Sequence, residues 1–277
     1  MRPHISYSEL VEFATICQHR WKLNNIDKVR QEIFSIHFDF GTAVHAALEA
    51  HKRRKDPIAV EHALTLFEKK LRWLYKKSGP KYDKLQTQKD IDNLVASGRN
   101  IISRLHECDE LAQAEVVYNE YKLFEPIDRT DGLDIKFKGY IDLVIKTKDK
   151  RGNTILYVCD FKTCSWGWDR DTREDRWKHY QVFLYKYFLC KKFDIDPKQV
   201  RCAFVLLKKR PPKGTPPVEF FPVSAGPVSV QRALNVLNEN ITEMHTRLAN
   251  GTLQKNRKSC IDKFGHPCPY KDTPLCP

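Results

Sequence analysis

The sequence predicts an α/β fold, and three observations carry that reading. Through the first third, apolar residues recur three and four apart, which is the helical period. At about residue 115 the period changes to two, the mark of half-buried strands, and it holds to 163. Beyond that point helix, strand, strand and helix patterns follow in turn. Helices, then a β-meander, then α-β-β-α indicate one α/β domain over 1–277 with a helical insertion over 56–112.

Each element has its own warrant. Ser6-Tyr7-Ser8-Glu9 fits a capping box, and Leu10, Phe13, Ala14 and Cys17 continue it at helical spacing. A second helix is expected from Gly41-Thr42 through Ala43, Ala46, Ala47 and Leu48 into the basic string Lys52-Arg53-Arg54-Lys55. The insertion carries Leu64, Phe67, Leu71 and Leu74 and breaks at Ser78-Gly79-Pro80. Strands are predicted at Glu115–Phe124, Asp134–Thr147 and Thr154–Thr163, then a helix from Glu174 to Lys192. The short apolar run Val200–Leu207 reads as a buried strand. A Pro-rich loop, a short strand at Glu219–Val223 and a helix over Val228–Ala249 follow. The tail from Asn250 is loop-like and holds three of the nine cysteines.

Composition narrows the class. Of 277 residues, 41% are hydrophobic and 30% charged, which excludes long disorder and collagen-like structure. Lys and Arg number 48 against 35 Asp and Glu, so the net charge is +13 and a polyanion such as nucleic acid is the expected partner. No apolar run approaches the ~18 residues of a membrane span. The opening MRPHISYSEL is too polar for a signal peptide, so a cytoplasmic location is expected. In that setting the cysteines read as reduced thiols or metal ligands, not as a disulfide framework.

The carboxylates suggest chemistry. Asp160 and Lys162 are two apart at a strand end and share one face. Asp142 lies inside the apolar run Gly139-Tyr140-Ile141-Asp142-Leu143-Val144-Ile145, where an unpaired carboxylate is costly. Hairpin register decides whether the two acids meet. A two-residue turn at Gly152-Asn153 pairs Asp142 with Thr163 and puts Asp160 on the other face. A three-residue turn at Lys150-Arg151-Gly152, with Gly152 left-handed, pairs Asp142 with Asp160. Cross-strand Cβ atoms then lie ~5 Å apart, a separation that suits one cation between two carboxylates.

These residues resemble the PD-(D/E)XK nuclease superfamily in its RecB-like branch. Asp142 in Gly-Tyr-Ile-Asp-Leu-Val matches the motif Asp, and Asp160-Phe161-Lys162-Thr163 matches the Asp-x-Lys that follows. Gly41-Thr42-Ala43-Val44-His45 fits the branch's Gly-Thr-x-x-His motif, and Gln181 with Tyr185 fits its Gln-x-x-x-Tyr. Ser6, Ser8, Leu10 and Cys17 match its opening motif. The resemblance implies a restriction-endonuclease-like core and a metal-dependent deoxyribonuclease, an exonuclease more than an endonuclease. It implies His45, Asp142 and Asp160, with a carbonyl from Phe161, as ligands of Mg²⁺ or Mn²⁺, and Lys162, Gln181 and Tyr185 as further active-site residues. Glu120 stands on the first strand, where the branch often carries a Glu.

Cys17, Cys260, Cys268 and Cys276 stand apart from the cysteines in apolar elements. A subset of the branch, AddB-type and CRISPR-associated nucleases, binds a [4Fe–4S] cluster with one Cys near the N-terminus and three near the C-terminus, as here. Zinc, with His266 as a ligand, and unliganded thiols are the alternatives. The tail is expected to pack back near Cys17.

Lys208, Lys209 and Arg210, with Trp166 and Trp168, are the expected nucleic-acid contacts. The expected substrate is DNA, single-stranded or with free ends, in recombination, repair or phage or CRISPR processing beside a helicase or recombination partner. The rival readings are a non-catalytic nucleic-acid-binding subunit and an RNA nuclease.

Overall fold

The computed structural model describes residues 3–29, 31, 34–50, 56–78, 81–82, 87–262 and 265–277. The basic string 52–55 and Gly79-Pro80 lie outside the described residues. The chain is α/β, with a mixed six-stranded sheet flanked by helices. The strands are β1 (His4–Ser6), β2 (Glu115–Pro126), β3 (Lys136–Lys148), β4 (Thr154–Cys164), β5 (Val200–Lys208) and β6 (Val218–Val223). Their order is β1-β3-β4-β5-β6, and β2 also pairs β3. The helices are α1 (Tyr7–Val11), α2 (Gln18–Asn25), α3 (Ile36–Ala50), α4 (Pro57–Ser78), α5 (Gln88–Ser103), α6 (Asp109–Ala112), α7 (Arg170–Glu174), α8 (Arg176–Phe193) and α9 (Pro227–Ala249). Among the described residues no helix is long and apolar enough to cross a membrane.

The chain divides into two compact units. One holds residues 1–33, 123–139 and 227–277; the other holds 34–122 and 140–226.

In the first unit Ser6 and Glu9 form the expected capping box on α1. The helix does not continue to Cys17. A π-helical turn, Glu12–Ile16, intervenes, and Cys17 is extended, with φ −164° and ψ 122°. Cys17 instead caps α2, its Sγ accepting from Arg20 N. Asn256 Nδ2 donates to the Ile16 carbonyl that the break frees. The apolar stripe Ala233, Leu234, Leu237, Ile241 and Met244 is the buried face of α9. Arg129 donates to Asn238 and Thr242 on that helix and pairs with Asp131.

In the second unit α3, α4 and α5 bury a common core that reaches Leu143, Ile145, Cys159, Phe161, Ala203 and Val205 of the sheet. Phe40 and Phe67 meet edge to face at 5.8 Å, a pairing worth ~0.5–1.5 kcal/mol beyond burial. Gly98 permits that packing, since a Cβ there would lie 2.0 Å from the Phe67 ring. The α3 helix starts five residues ahead of the expected Gly41, because Ile36 and Phe40 already face this core.

The hairpin has the register that unites the acids. Lys148 pairs Thr154 and Leu143 pairs Cys159, and the same register carried one step past the end of the ladder sets Asp142 opposite Asp160. Asp149 N donates to Asn153 O, which leaves Lys150-Arg151-Gly152 as the turn, and Gly152 has φ +81°. A left-handed residue belongs at that position, and glycine takes it without strain.

Candidate active site

Strand β4 supplies Asp160, Phe161 and Lys162, and β3 supplies Asp142. The ladder between them stops at Leu143 and Cys159. One step on, Asp142 Oδ2 accepts from the backbone N–H of Phe161 at 2.7 Å. The carboxylate therefore takes the place of the next ladder bond, and the strands part there. An extended residue points its N–H and C=O to the same edge, so the Phe161 carbonyl faces the same gap.

Asp160 is 2% exposed. Burial raises its pKa to about 6, with Asp142 adding to the rise and Lys162 opposing it. Its Oδ2 forms an ion pair with Lys162 Nζ at 2.7 Å yet receives no well-directed hydrogen bond. Lys162 Nζ also donates to Gln181 Oε1 at 3.0 Å, and Gln181 Nε2 donates to the Tyr185 hydroxyl at 3.1 Å. Gln181 and Tyr185 are one turn apart on α8, and Tyr185 is buried. A continuous chain thus runs Asp160–Lys162–Gln181–Tyr185.

His45 comes from α3. Its Nδ1 lies 3.6 Å from Asp142 Oδ1, and its ring meets Phe161 edge-on at 5.7 Å. Burial lowers its pKa, but the hydrogen bond and charge of Asp142, with the charge of Asp160, outweigh that and leave it raised. The structure therefore brings His45, Asp142, Asp160, Phe161, Lys162, Gln181 and Tyr185 together. Glu49, one turn beyond His45, escaped the sequence reading; its i+4 position from His45 was the available signal. It hydrogen-bonds Glu120, whose carboxyl it pushes up to about 7, with burial and Asp142 adding to the rise. Glu120 sits on β2 in a left-handed conformation, φ +49°, a strained state for a residue with a side chain.

Among the described residues, no three His, Cys, Asp or Glu side chains converge closely enough to hold an ion as they stand. The donor set nevertheless suits a hard divalent cation: carboxylates, a carbonyl and one imidazole. The buried Asp160 Oδ2 is an acceptor with unused capacity.

The expected nucleic-acid contacts divide. Arg210 and Trp166 are exposed, and Lys209 is partly so. Lys208 is 7% exposed and directs its charge to Glu219, so it offers no free cation. Trp168 packs against Phe204 and Phe221, with Lys178 over its ring. Strand pairing with β6, which carries Glu219 and Phe221, sets the surroundings of both residues.

In the first unit Cys17, Cys260, Cys268 and Cys276 all line one small cavity, with Leu23, Asn256 and Tyr270. Burial, then the thiols of Cys268 and Cys276, push the Cys260 thiol up, and Cys17 adds to the rise. Cys268 N donates to Cys260 O, and Asn256 N donates to Cys17 Sγ at 3.4 Å. Tyr270 anchors the tail at 1% exposure: Gln31 N donates to its hydroxyl, which lies 2.6 Å from Asn24 Oδ1 and 2.8 Å from Val29 O. His266 pairs with Asp262 and is not among the residues lining the cavity.

No curated protein matches the chain. In fold it is similar to a candidate exonuclease from Eubacterium rectale, with a TM-score of 0.58 at 14% identity, covering 94% of this chain and 86% of that one. A sequence model of the PD-(D/E)XK nuclease superfamily matches residues 4–277, the span that includes the Asp142, Asp160 and Lys162 constellation. The chain therefore belongs to the PD-(D/E)XK nuclease superfamily.

Proposed function

We propose that this nuclease is a metal-dependent deoxyribonuclease of the RecB-like branch, acting as an exonuclease on single strands or free DNA ends. The observation that carries the reading is the meeting of Asp142 and Asp160 where their strands part, with Lys162 Nζ 2.7 Å from Asp160. His45, Asp142, Asp160 and the Phe161 carbonyl would hold Mg²⁺ or Mn²⁺. When bound, that ion supplies a Lewis acid for the phosphate and lowers the pKa of a water.

The remaining chemistry belongs to the chain. Asp160 and Gln181 hold the Lys162 ammonium from two sides, so its charge is fixed before substrate arrives. From there it orients the attacking water and stabilises the negative charge that grows on the phosphoryl oxygens. Tyr185 holds Gln181 and, through it, the Lys162 direction. Asp142, tied to the Phe161 amide, keeps its second oxygen on the His45 side.

The four cysteines that share a cavity are assigned to a structural [4Fe–4S] cluster, with zinc as the alternative. The single domain of the sequence reading, a cytoplasmic setting and a helicase or recombination partner complete the proposal.

End-labelled single-stranded, duplex and circular DNA incubated with Mg²⁺ or Mn²⁺ tests the reading. Digestion of linear DNA from its ends, with circles spared, is expected. Cut circles would make it an endonuclease, and digestion confined to RNA would transfer the activity to RNA.

A further inference from the structure

We propose that the exposed rings of Phe38 and Trp166, linked by the Lys209–Arg210 segment, form a stacking shelf for the unpaired bases of single-stranded DNA entering the site. The inference rests on the nuclease reading and specifies its substrate.

Phe38 and Trp166 are 63% and 65% exposed, the two most exposed aromatic side chains among the described residues. They lie on different elements, yet three contacts fix them at one end of the cleft. Along α3, His45 faces Phe161. One turn earlier, Gly41 faces Thr163, whose Oγ1 would lie 3.5 Å from a Cβ there. One turn earlier again, His37 Nδ1 lies 3.3 Å from Lys209 Nζ. The α3 helix therefore runs antiparallel to β4, and its start arrives where β4 ends. At that end Lys209 N donates to Cys164 O and Arg210 N to Ser165 O, which ties the segment to the loop carrying Trp166.

Phe38, Thr42, His45 and Glu49 follow the spacing of a single helix face. Seven residues separate Phe38 from His45, ~10 Å along the axis, or about three base rises of ~3.4 Å. A strand whose phosphate lies at the acids would thus present its next bases to the rings. The local charge suits it. Arg210 is exposed, Lys209 extends over the Phe40 ring, and the nearby Asp39 carboxylate is engaged by the Tyr82 hydroxyl at 2.6 Å. Aromatic faces beside cations are how single strands are held without sequence reading. Bases inside a duplex are already stacked on their neighbours and offer no free face.

The test uses the full chain in chelator, so that no cleavage is needed. A single-stranded DNA carrying 2-aminopurine three nucleotides from its end is titrated with wild type, Phe38→Ala, Trp166→Ala and the double variant. Wild type should alter the fluorescence of the stacked base. Each single variant should bind single strands about tenfold more weakly, while duplex binding stays within about twofold. Phe38→Tyr and Trp166→Phe should retain binding, since both keep an aromatic face. With metal, the alanine variants should raise KM on single strands and leave kcat unchanged. Unchanged affinity and fluorescence in the double variant would overturn the shelf, as would equal weakening on duplex. Tighter binding of the matching RNA would overturn its assignment to DNA. A protein that stacks the base in chelator but cuts nothing would instead remove the nuclease reading alone.

Discussion

The two groups of chemistry-bearing residues are built by opposite means. The acid–lysine site stands on strands whose register is set by a ladder and backed by buried helices. Its side chains are already linked to one another, from Asp160 to Tyr185. Among its described residues the cysteine tail has almost no regular structure beyond a 3₁₀ turn at Arg257–Cys260 and two isolated bridges. Its apolar cluster is Leu23, Tyr270 and Cys276, with Cys268 against it. The first site is held by its ladder and buried helices, whereas the second is held by a small apolar cluster, hydrogen bonds and, in the proposed reading, the group its cysteines bind. Loss of a bound group should therefore harm chemistry in one and stability in the other.

Asp160→Asn gives the sharpest contrast. Cleavage should fall by at least ~10²–10³-fold, because the variant loses a charge aimed at the reacting centre. The melting temperature should hold or rise. A carboxyl whose folded pKa is raised to about 6 loses stability as pH climbs past its ordinary range, and a neutral amide escapes that loss. Wild-type cleavage rates in this variant would refute the active-site assignment.

Cys268→Ala should do the reverse. Protein purified without oxygen should be brown, and the variant colourless and several degrees less stable, with Asp160 chemistry intact. Stoichiometric zinc in a colourless wild type would replace the cluster. Equal melting points for variant and wild type would leave the tail an ordinary packed loop.

Tyr270→Phe separates packing from ligation. It keeps the buried ring but strips the hydroxyl from Gln31 N, Asn24 and Val29, at a cost of ~1–3 kcal/mol. Calorimetry should register that loss without any change of colour.

Glu120→Gln should have the smallest effect. The Glu120 carboxyl is pushed up to about 7 by Glu49, so stability should decline as pH rises from the ordinary carboxyl range toward 7. The amide should flatten that decline in melting curves taken in chelator at pH 5 and pH 8. Parallel profiles for the two proteins would show that the pair is not coupled to folding.

The candidate active site was more legible than its surroundings for a physical reason. Asp142 announces itself because an acid inside an apolar strand must have a purpose, and Gly152 sets the register because few other residues take a left-handed turn. Lys208 was not legible: nothing in a run of three cations says that the first is buried against Glu219. Trp166 and Trp168 are two apart, yet one is exposed and the other packed, and only the loop's path decides between them. The strand His4–Ser6 is too short to carry a period, and the carbonyl freed at the break before Cys17 is met by Asn256, far along the chain. Glu49 was overlooked because its partner Glu120 lies on another element.

The turn at Lys150-Arg151-Gly152 has a consequence in time. Asp142 and Asp160 are 18 residues apart in sequence, and a hairpin of that kind closes in ~1–10 μs. In the proposed cluster, Cys17 must find partners more than 240 residues away. At ~5–20 residues per second of synthesis, the 96 residues from Cys164 to Cys260 take ~5–20 s to add. The acids are thus neighbours on the nascent chain long before the last three thiols exist. During that interval Cys17 waits alone, and in the proposed reading the group that joins the four cysteines is fastened only after the acids already face each other.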